Sequence, residues 1–160
     1  MGTYHIAQIC KNGHVINTSA DSFPEMNEEY CSKCGAATIM HCEDCGAPIR
    51  GDYEEPDVFE SFEYERPSFC YKCGSPYPWT KTALHAAREL AQTLEGLDEK
   101  EVQELRKSLE DLVRETPRTK VAETRFKRIM KKVGSDGYQA MRDILISVVS
   151  EAVRKSLFGI

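Results

Sequence analysis

The pattern of apolar positions divides the chain into two unlike halves. From residue 80 onward, apolar side chains recur at intervals of three and four residues, which is the period of an amphipathic helix. Four such stripes follow one another, over residues 84–97, 102–113, 122–133 and 141–157. The last stripe is the most apolar and is expected at the centre of the packing. The pattern therefore predicts a C-terminal bundle of about four α-helices.

Signals at the helix ends agree with this division. Thr80 precedes the first stripe and is a candidate N-cap, because its hydroxyl can accept from a free backbone N–H group. Asp98 precedes the second stripe, and Glu101 follows in the capping-box position. The second half of the chain is thus predicted to be helical throughout.

The first half has short apolar runs that favour strands. Residues 4–9, 15–18 and 36–40 each combine a few apolar residues with turn residues on either side. This predicts small antiparallel hairpins, and hence an α+β chain with an N-terminal domain at 1–79 and a helical domain at 80–160. Trp79 stands at the joint and is expected to pack the strands against the first helix.

Candidate metal ligands are concentrated in the strand half. They form four pairs: Cys10 with His14, Cys31 with Cys34, Cys42 with Cys45, and Cys70 with Cys73. These pairs use all seven cysteines of the chain. Eight thiolate and imidazole ligands suit two tetrahedral Zn²⁺ sites, and glycine follows each Cys-x-x-Cys pair, where the loop needs a positive φ. We therefore expect two structural zinc ions per chain.

The spacing leaves the pairing of the ligands open. In tandem ribbons, Cys10, His14, Cys31 and Cys34 form site 1, while Cys42, Cys45, Cys70 and Cys73 form site 2. In a cross-brace, alternate pairs share an ion. Residues 35–41 are long enough for a strand between two loops, which favours the tandem arrangement. Iron suits an all-cysteine site as well, whereas a site containing histidine favours zinc.

Charge and composition indicate the cellular compartment in which the protein is expected. The net charge is −5, and residues 1–79 hold 5 Lys/Arg against 13 Asp/Glu. No apolar run reaches the roughly 18 residues of a membrane-spanning helix. Free cysteines in metal-binding pairs are typical of a reducing compartment, so we expect a cytoplasmic protein with no membrane association.

Two segments of the sequence are candidate binding surfaces. Residues 52–66 are acidic with aromatic residues between the charges, which fits either a solvated loop with aromatics tucked onto the ribbon or a docking strip for a basic partner. The third helical stripe is basic and carries Arg118, Lys120, Arg125, Lys127, Arg128, Lys131 and Lys132. That face fits a solvated surface, a contact with the acidic half, or binding to nucleic acid or anionic lipid.

No pattern for catalysis is present in the sequence. The chain lacks the His-Glu-x-x-His and zinc-deaminase patterns, as well as any phosphate-cradling or dinucleotide-binding glycine loop. With four protein ligands for each ion, no coordination position is left for a reacting water. We therefore expect no enzyme activity.

One resemblance covers the whole chain. Residues 4–16, Tyr-His-Ile-Ala-Gln-Ile-Cys-Lys-Asn-Gly-His-Val-Ile, and residues 69–80, Phe-Cys-Tyr-Lys-Cys-Gly-Ser-Pro-Tyr-Pro-Trp-Thr, resemble an uncharacterised bacterial zinc-ribbon family, a domain of unknown function. The resemblance implies a bacterial cytoplasmic protein with zinc-binding cysteines. The family it resembles has no assigned activity.

Three functions fit these observations. The first is a non-enzymatic adaptor, in which rigid zinc ribbons are joined to a helical domain for docking or self-association. The second is a nucleic-acid-associated protein that uses the basic helix, although the acidic first half would repel phosphate. The third is a cross-braced recruiting module of the ubiquitin-ligase type, which the length of residues 35–41 disfavours.

Overall fold

The computed structural model describes all 160 residues, and the chain divides into two compact units at residues 1–80 and 81–160. All the strands lie in the first unit, and helices α2 to α5 lie in the second. Helix α1 (Pro78–Thr93) begins in the first unit and continues into the second. The predicted order of short antiparallel strands followed by helices is confirmed.

The first unit contains two small antiparallel sheets. Strands β1 (Thr3–Ile6) and β5 (Arg50–Glu54) form a two-stranded sheet. The other sheet has β2 (Gln8–Cys10) at its centre, with β3 (Val15–Asn17) on one side and β4 (Thr38–Ile39) on the other. A single 3₁₀ turn (Pro24–Met26) lies in the loop after β3. The first residues of the chain therefore contribute to both sheets, because β1 and β2 are consecutive.

One apolar core serves this unit. Its buried residues come from the start of the chain, from both ends of the residue 42–49 segment, and from the entrance to α1: Ala7, Ile9, Cys42, Ala47, Ile49, Cys70, Tyr77 and Trp79. Trp79 is buried, stacks on Tyr77 with ring centres 4.7 Å apart, and donates its indole N–H to the carbonyl of Pro67. Two of the candidate ligands, Cys42 and Cys70, belong to this core.

The second unit is a helical assembly with its own core. It contains the rest of α1, α2 (Glu99–Val113), α3 (Thr119–Met130), α4 (Ser135–Leu145) and α5 (Glu151–Phe158). Its fully buried side chains include Leu105, Leu109, Phe126, Ile129, Met141 and Leu145. They lie on the stripes that the sequence pattern marked, as expected for amphipathic helices. No helix of the protein is long and apolar enough to cross a membrane.

The number of helices differs from the expected four, because the last stripe is broken. Helix α4 ends at Leu145, and Ser150 caps α5 by accepting a hydrogen bond from the backbone N–H of Val153 at 3.3 Å. The link between them still buries Val148 and Val149. Apolar residues thus keep their helical spacing across the break, and the stripe concealed it.

The capping predictions had different outcomes. The Asp98–Glu101 capping box is present, with Asp98 Oδ1 accepting from the Glu101 N–H at 2.8 Å and Glu101 Oε1 accepting from the Asp98 N–H at 3.2 Å. The prediction for Thr80 was wrong, since α1 begins two residues earlier at Pro78. Proline needs no hydrogen-bond partner in a first turn. Thr80 is instead buried and donates its hydroxyl to the carbonyl of Ser68 at 2.8 Å.

The β1–β5 sheet contains a pH-dependent contact that can be tested. His5 Nε2 lies 2.8 Å from Glu54 Oε2, and its Nδ1 lies 3.4 Å from Asp21 Oδ2. The hydrogen bond to Glu54 raises the pKa of His5 above its ordinary value. We expect the stability from protonated His5 to be complete below a pH of about 6.5, the unfolded-state pKa. That stability should be lost as the pH rises through the higher pKa of the folded state.

An NMR titration of the imidazole resonances measures this pKa directly. The Glu54→Gln variant should lower the pKa of His5, whereas Glu55→Gln, on the neighbouring exposed side chain, should leave it near the wild-type value. A pKa of His5 that is the same in all three proteins would contradict the assignment.

Candidate metal centre

Site 1 is assembled at one end of the three-stranded sheet. Cys10 ends β2, His14 immediately precedes β3, and Cys31 and Cys34 lie in the loop before β4. Cys10 Sγ is 3.4 Å from His14 Nδ1 and 3.7 Å from Cys34 Sγ, and Cys31 Sγ is 3.5 Å from the same nitrogen. The sheet therefore brings together ligand pairs that are separated by a long loop.

Site 2 is formed by the two later loops. Cys42 Sγ and Cys73 Sγ lie 3.7 Å apart, and Cys45 Sγ and Cys70 Sγ are separated by the same distance. In each site, all four ligand atoms lie within 4.8 Å of one another. The two groups are those of the tandem arrangement, because each site contains two consecutive pairs.

These distances fit a tetrahedral metal ion. With metal–sulfur bonds of about 2.3 Å and metal–nitrogen bonds of about 2.0–2.1 Å, the edges of a tetrahedron are roughly 3.8 Å between sulfurs and roughly 3.6 Å between sulfur and nitrogen. The observed separations of 3.4 to 3.7 Å match those edges. A disulfide would instead bring two sulfurs to about 2.05 Å. Both sites could hold a metal ion, and all seven cysteines are free thiols.

The three Cys-x-x-Cys-Gly loops repeat one backbone design. In each loop the glycine N–H donates to the carbonyl of the first cysteine, from Gly35 to Cys31, Gly46 to Cys42 and Gly74 to Cys70, at 2.7 to 2.9 Å. The residue before each loop also pairs with the residue three positions after the second cysteine, as in Tyr30 with Ala37. The short sequence motif thus determines the local geometry of three of the four ligand pairs.

Hydrogen bonds to sulfur favour the thiolate form that binds metal. The Ala36 N–H and the Asn12 side-chain amide lower the pKa of Cys34 to about 6. The hydroxyl and N–H of Ser75 lower the pKa of Cys73. Cys10 differs, because burial raises the pKa of its thiol. Donors around Cys34 and Cys73 therefore reduce the cost of deprotonation that metal binding requires at these two positions, whereas the pKa of the third exposed cysteine, Cys45, is raised to about 11.

Asn12 and Arg66 support site 1 in ways that sequence analysis missed. Asn12 lies in the turn before His14, and its Nδ2 donates to Cys34 Sγ in the facing loop at 3.4 Å. The Arg66 guanidinium donates to the carbonyl of Gly13 and lies 5.5 Å from the centre of the Trp79 ring. Arg66 thus ties the site 1 loop to the apolar core. The Asn-Gly pair between two ligands was a signal for the first contact, and no local signal existed for the second.

The remaining histidines lie outside the two ligand groups. His41 is exposed and precedes Cys42, with its backbone paired to Pro48. His85 Nε2 contacts Glu89 Oε1 at 2.7 Å on the surface of α1.

The basic residues of the third stripe are mostly engaged within the helical unit. Three pair with carboxylates of α2: Arg118 with Asp111 at 3.3 Å, Arg128 with Glu104 at 2.8 Å, and Lys132 with Glu101 at 2.6 Å. Lys120 pairs with Glu123 at 3.3 Å, and Lys127 donates to Ser156 at 3.2 Å. Arg125 is half-buried and Lys131 is exposed. The structure therefore does not gather these seven side chains into one unneutralised cationic surface.

The acidic aromatic segment places one aromatic residue on the core and leaves two others in solvent. Tyr64 packs against the core and donates its hydroxyl to the carbonyl of Arg50 at 2.6 Å. Phe59 and Phe62, the other two candidates for packing onto the ribbon, are 98% and 76% exposed. Of these three residues, only Tyr64 therefore packs on the core.

Comparison with known proteins places the chain in a family. A family model described as an uncharacterized protein conserved in bacteria matches residues 3–157. The chain belongs to this bacterial family. The match spans both units, so the ribbons and the helices are parts of one family architecture. No curated protein and no solved structure matches the chain.

The glycines at the two kinds of loop allow a matched test of the site. Gly46 has φ of +78°, and an added Cβ would meet nothing within 4 Å. Gly13 has φ of +95°, and its Cβ would lie 2.9 Å from Trp79 Cβ and closer still to the Arg66 guanidinium. We expect Gly46→Ala to lower the free energy of unfolding by about 1–2 kcal/mol through backbone strain. Gly13→Ala should lose about 1–3 kcal/mol more through overpacking.

Urea denaturation of the metal-loaded proteins measures both losses. The Gly159→Ala variant, at the left-handed C-cap of α5, gives the cost of the same substitution outside the ribbon unit. Equal losses at the two loops would show that Arg66 and Trp79 do not constrain site 1.

Proposed function

We propose that this protein is a non-enzymatic, zinc-stabilised interaction module. The observation that carries the proposal is the closure of both candidate metal sites, since each converges four protein ligand atoms. A catalytic zinc ion keeps one coordination position for water or substrate, whereas a structural ion has four protein ligands. The ions would therefore hold the fold and take no part in a reaction.

The ligand set supports zinc as the resident ion. Site 1 has three thiolates and one imidazole, and site 2 has four thiolates. Zn²⁺ accepts both sets in tetrahedral geometry, and one ion for both sites is the simplest assignment. In site 1 the residues Cys10, His14, Cys31 and Cys34 would hold it, and the other four cysteines would hold it in site 2. When bound, each ion would supply cross-linking between loops that contain few apolar residues.

An adaptor role is supported by the different surfaces of the two units. The ribbon unit is built around candidate metal sites and leaves large aromatic side chains exposed, which in soluble proteins marks interaction surfaces. The helical unit has a separate apolar core, and its surface carries several ion pairs, such as Arg128 with Glu104. We infer that the ribbon unit binds a partner protein and that the helical unit provides docking or self-association, in the bacterial cytoplasm.

Binding of nucleic acid through α3 is less well supported. Phosphate binding requires cations that are free to replace counterions. Of the seven basic residues, four already have carboxylate partners within 3.3 Å. The proposal therefore rests on protein contacts, and nucleic acid serves as a control in its test.

The metal assignment makes the first prediction. Purified protein should contain two zinc ions per chain by mass spectrometry and elemental analysis, and Cys45→Ser should contain one. A structural zinc site contributes on the order of 10 kcal/mol to folding. We therefore expect a chelator under reducing conditions to collapse the amide NMR dispersion of residues 1–80 while most of the helical circular dichroism persists.

Lys33→Ala, which changes an exposed residue inside a site 1 loop without removing a ligand, is the matched control and should retain two ions. One ion in the wild-type protein, iron in place of zinc, or unchanged NMR dispersion after chelation would overturn the structural-zinc assignment.

The adaptor assignment makes the second prediction. Zinc-loaded full-length protein, used as bait in lysate of its native host, should capture a specific protein or a second copy of itself. Capture should survive nuclease treatment, and Cys45→Ser should reduce it by about tenfold or more because the ribbon surface is lost. A strict monomer that captures nothing, or capture that nuclease abolishes, would contradict the adaptor assignment.

A further inference from the structure

A groove in the first unit has no role in holding the metal sites. It lies between the β1–β5 sheet and residues 55–65, and we call it the aromatic groove. Its volume is about 860 Å³, and it is lined by the aromatic residues Tyr4, Phe23, Tyr53, Phe59, Phe62 and Tyr64. Volumes of about 300–1,000 Å³ are typical of ligand-binding pockets.

The wall of the groove exposes apolar side chains that a folded protein ordinarily buries. Phe59 and Phe62 are almost fully accessible to solvent, and Val58 beside them is 49% exposed. Contiguous exposed apolar surface is typical of interaction sites. These side chains contribute little to the core of the unit, so their exposure is not explained by folding.

Charge indicates the chemistry of the occupant. Glu55, Glu60, Glu63 and Glu65 line the groove, and none of them forms an ion pair within the protein. The groove contains one arginine, Arg50, and no lysine. A groove with this balance attracts cations and repels phosphate.

The same unit already shows how aromatic rings hold a guanidinium. The Arg50 guanidinium carbon lies 4.5 Å from the centre of the Tyr4 ring and 3.9 Å from that of Tyr71. Cations within about 6 Å of an aromatic ring centre are attracted by the electrons of the ring. Phe59 and Phe62 offer the same surface to an incoming cation, with Glu60 and Glu63 adjacent to them in the chain.

We propose that the aromatic groove binds a basic, partly apolar peptide segment of a partner protein. Arginine or lysine side chains of the peptide would lie on Phe59 and Phe62 and pair with the adjacent carboxylates, while an apolar side chain enters between the rings. This proposal rests on the adaptor function and names the chemistry of its partner. A second copy is a poorer occupant, because four of the seven basic residues of the third stripe already pair with carboxylates of their own unit.

The test uses zinc-loaded full-length protein and fluorescein-labelled peptides in an anisotropy titration. The probe is a peptide of three Arg-Leu-Gly repeats, and the comparison peptides replace every arginine by glutamate or every leucine by serine. We expect saturable binding of the probe that weakens with salt, no binding of the glutamate peptide, and binding of the serine peptide weaker by about fivefold or more.

Two pairs of variants locate the binding. One double variant combines Phe59→Ser with Phe62→Ser, and the other combines Glu60→Gln with Glu63→Gln. Each should weaken binding of the probe peptide by about fivefold or more. Glu25→Gln with Glu29→Gln changes the same number of exposed carboxylates outside the groove, and Val121→Ser removes an exposed apolar side chain of the helical unit. Both controls should bind as the wild type does. All variants should keep two zinc ions, which separates loss of binding from loss of folding.

The outcomes separate this proposal from the adaptor function. Absence of probe binding, equal binding of the glutamate peptide, or equal weakening by the control variants would overturn the groove proposal, even if a partner is captured from lysate. A change in sedimentation of the groove variants without a change in peptide affinity would assign the groove to a second copy and overturn the proposal as well.

Discussion

The fold of the first unit depends on the convergence of four ligand atoms at each of two points. The strands are only two to five residues long, and so few backbone hydrogen bonds cannot order about eighty residues alone. In each Cys-x-x-Cys-Gly loop, the glycine N–H closes the turn on the carbonyl of the first cysteine, and the sulfurs of facing loops lie 3.7 Å apart in site 2. Metal coordination would then join loops that the strands bring near one another. Without this cross-linking the unit would lack a sufficient interior.

The two candidate metal sites are connected by hydrogen bonds and share one apolar core. The Ala7 N–H donates to the carbonyl of Ile49 at 2.8 Å, which joins the chain ahead of site 1 to the chain leaving the first loop of site 2. Ile9 and Cys42 share one core, and Arg66 connects the Gly13 carbonyl to Trp79. Loss of either ion would therefore be felt at the other.

The helical unit is stabilised by an apolar core. Its apolar stripes bury leucine, isoleucine and phenylalanine, so we expect it to fold without metal. Its charges are arranged as ion pairs between α2 and α3, and these exposed pairs contribute little to stability. They nevertheless neutralise basic side chains that would otherwise form a phosphate-binding face. The basic stripe is thus better understood as one side of a helix–helix contact surface than as a site.

The sequence alone determined the ligands, the local loops and the helical stripes, because each depends on residues close together in the chain. Cysteine spacing with a following glycine, as at Cys42–Gly46, and the Asp98–Glu101 capping box are local patterns with local physical causes. Tertiary structure decided the contacts between distant segments: the Asn12 amide on Cys34, Arg66 on Gly13, and the pairing of Lys132 with Glu101. It also decided the break before Ser150, since Val148 and Val149 remain buried without helix. Such features follow from which segments meet in space, and apolar spacing along the chain does not record that.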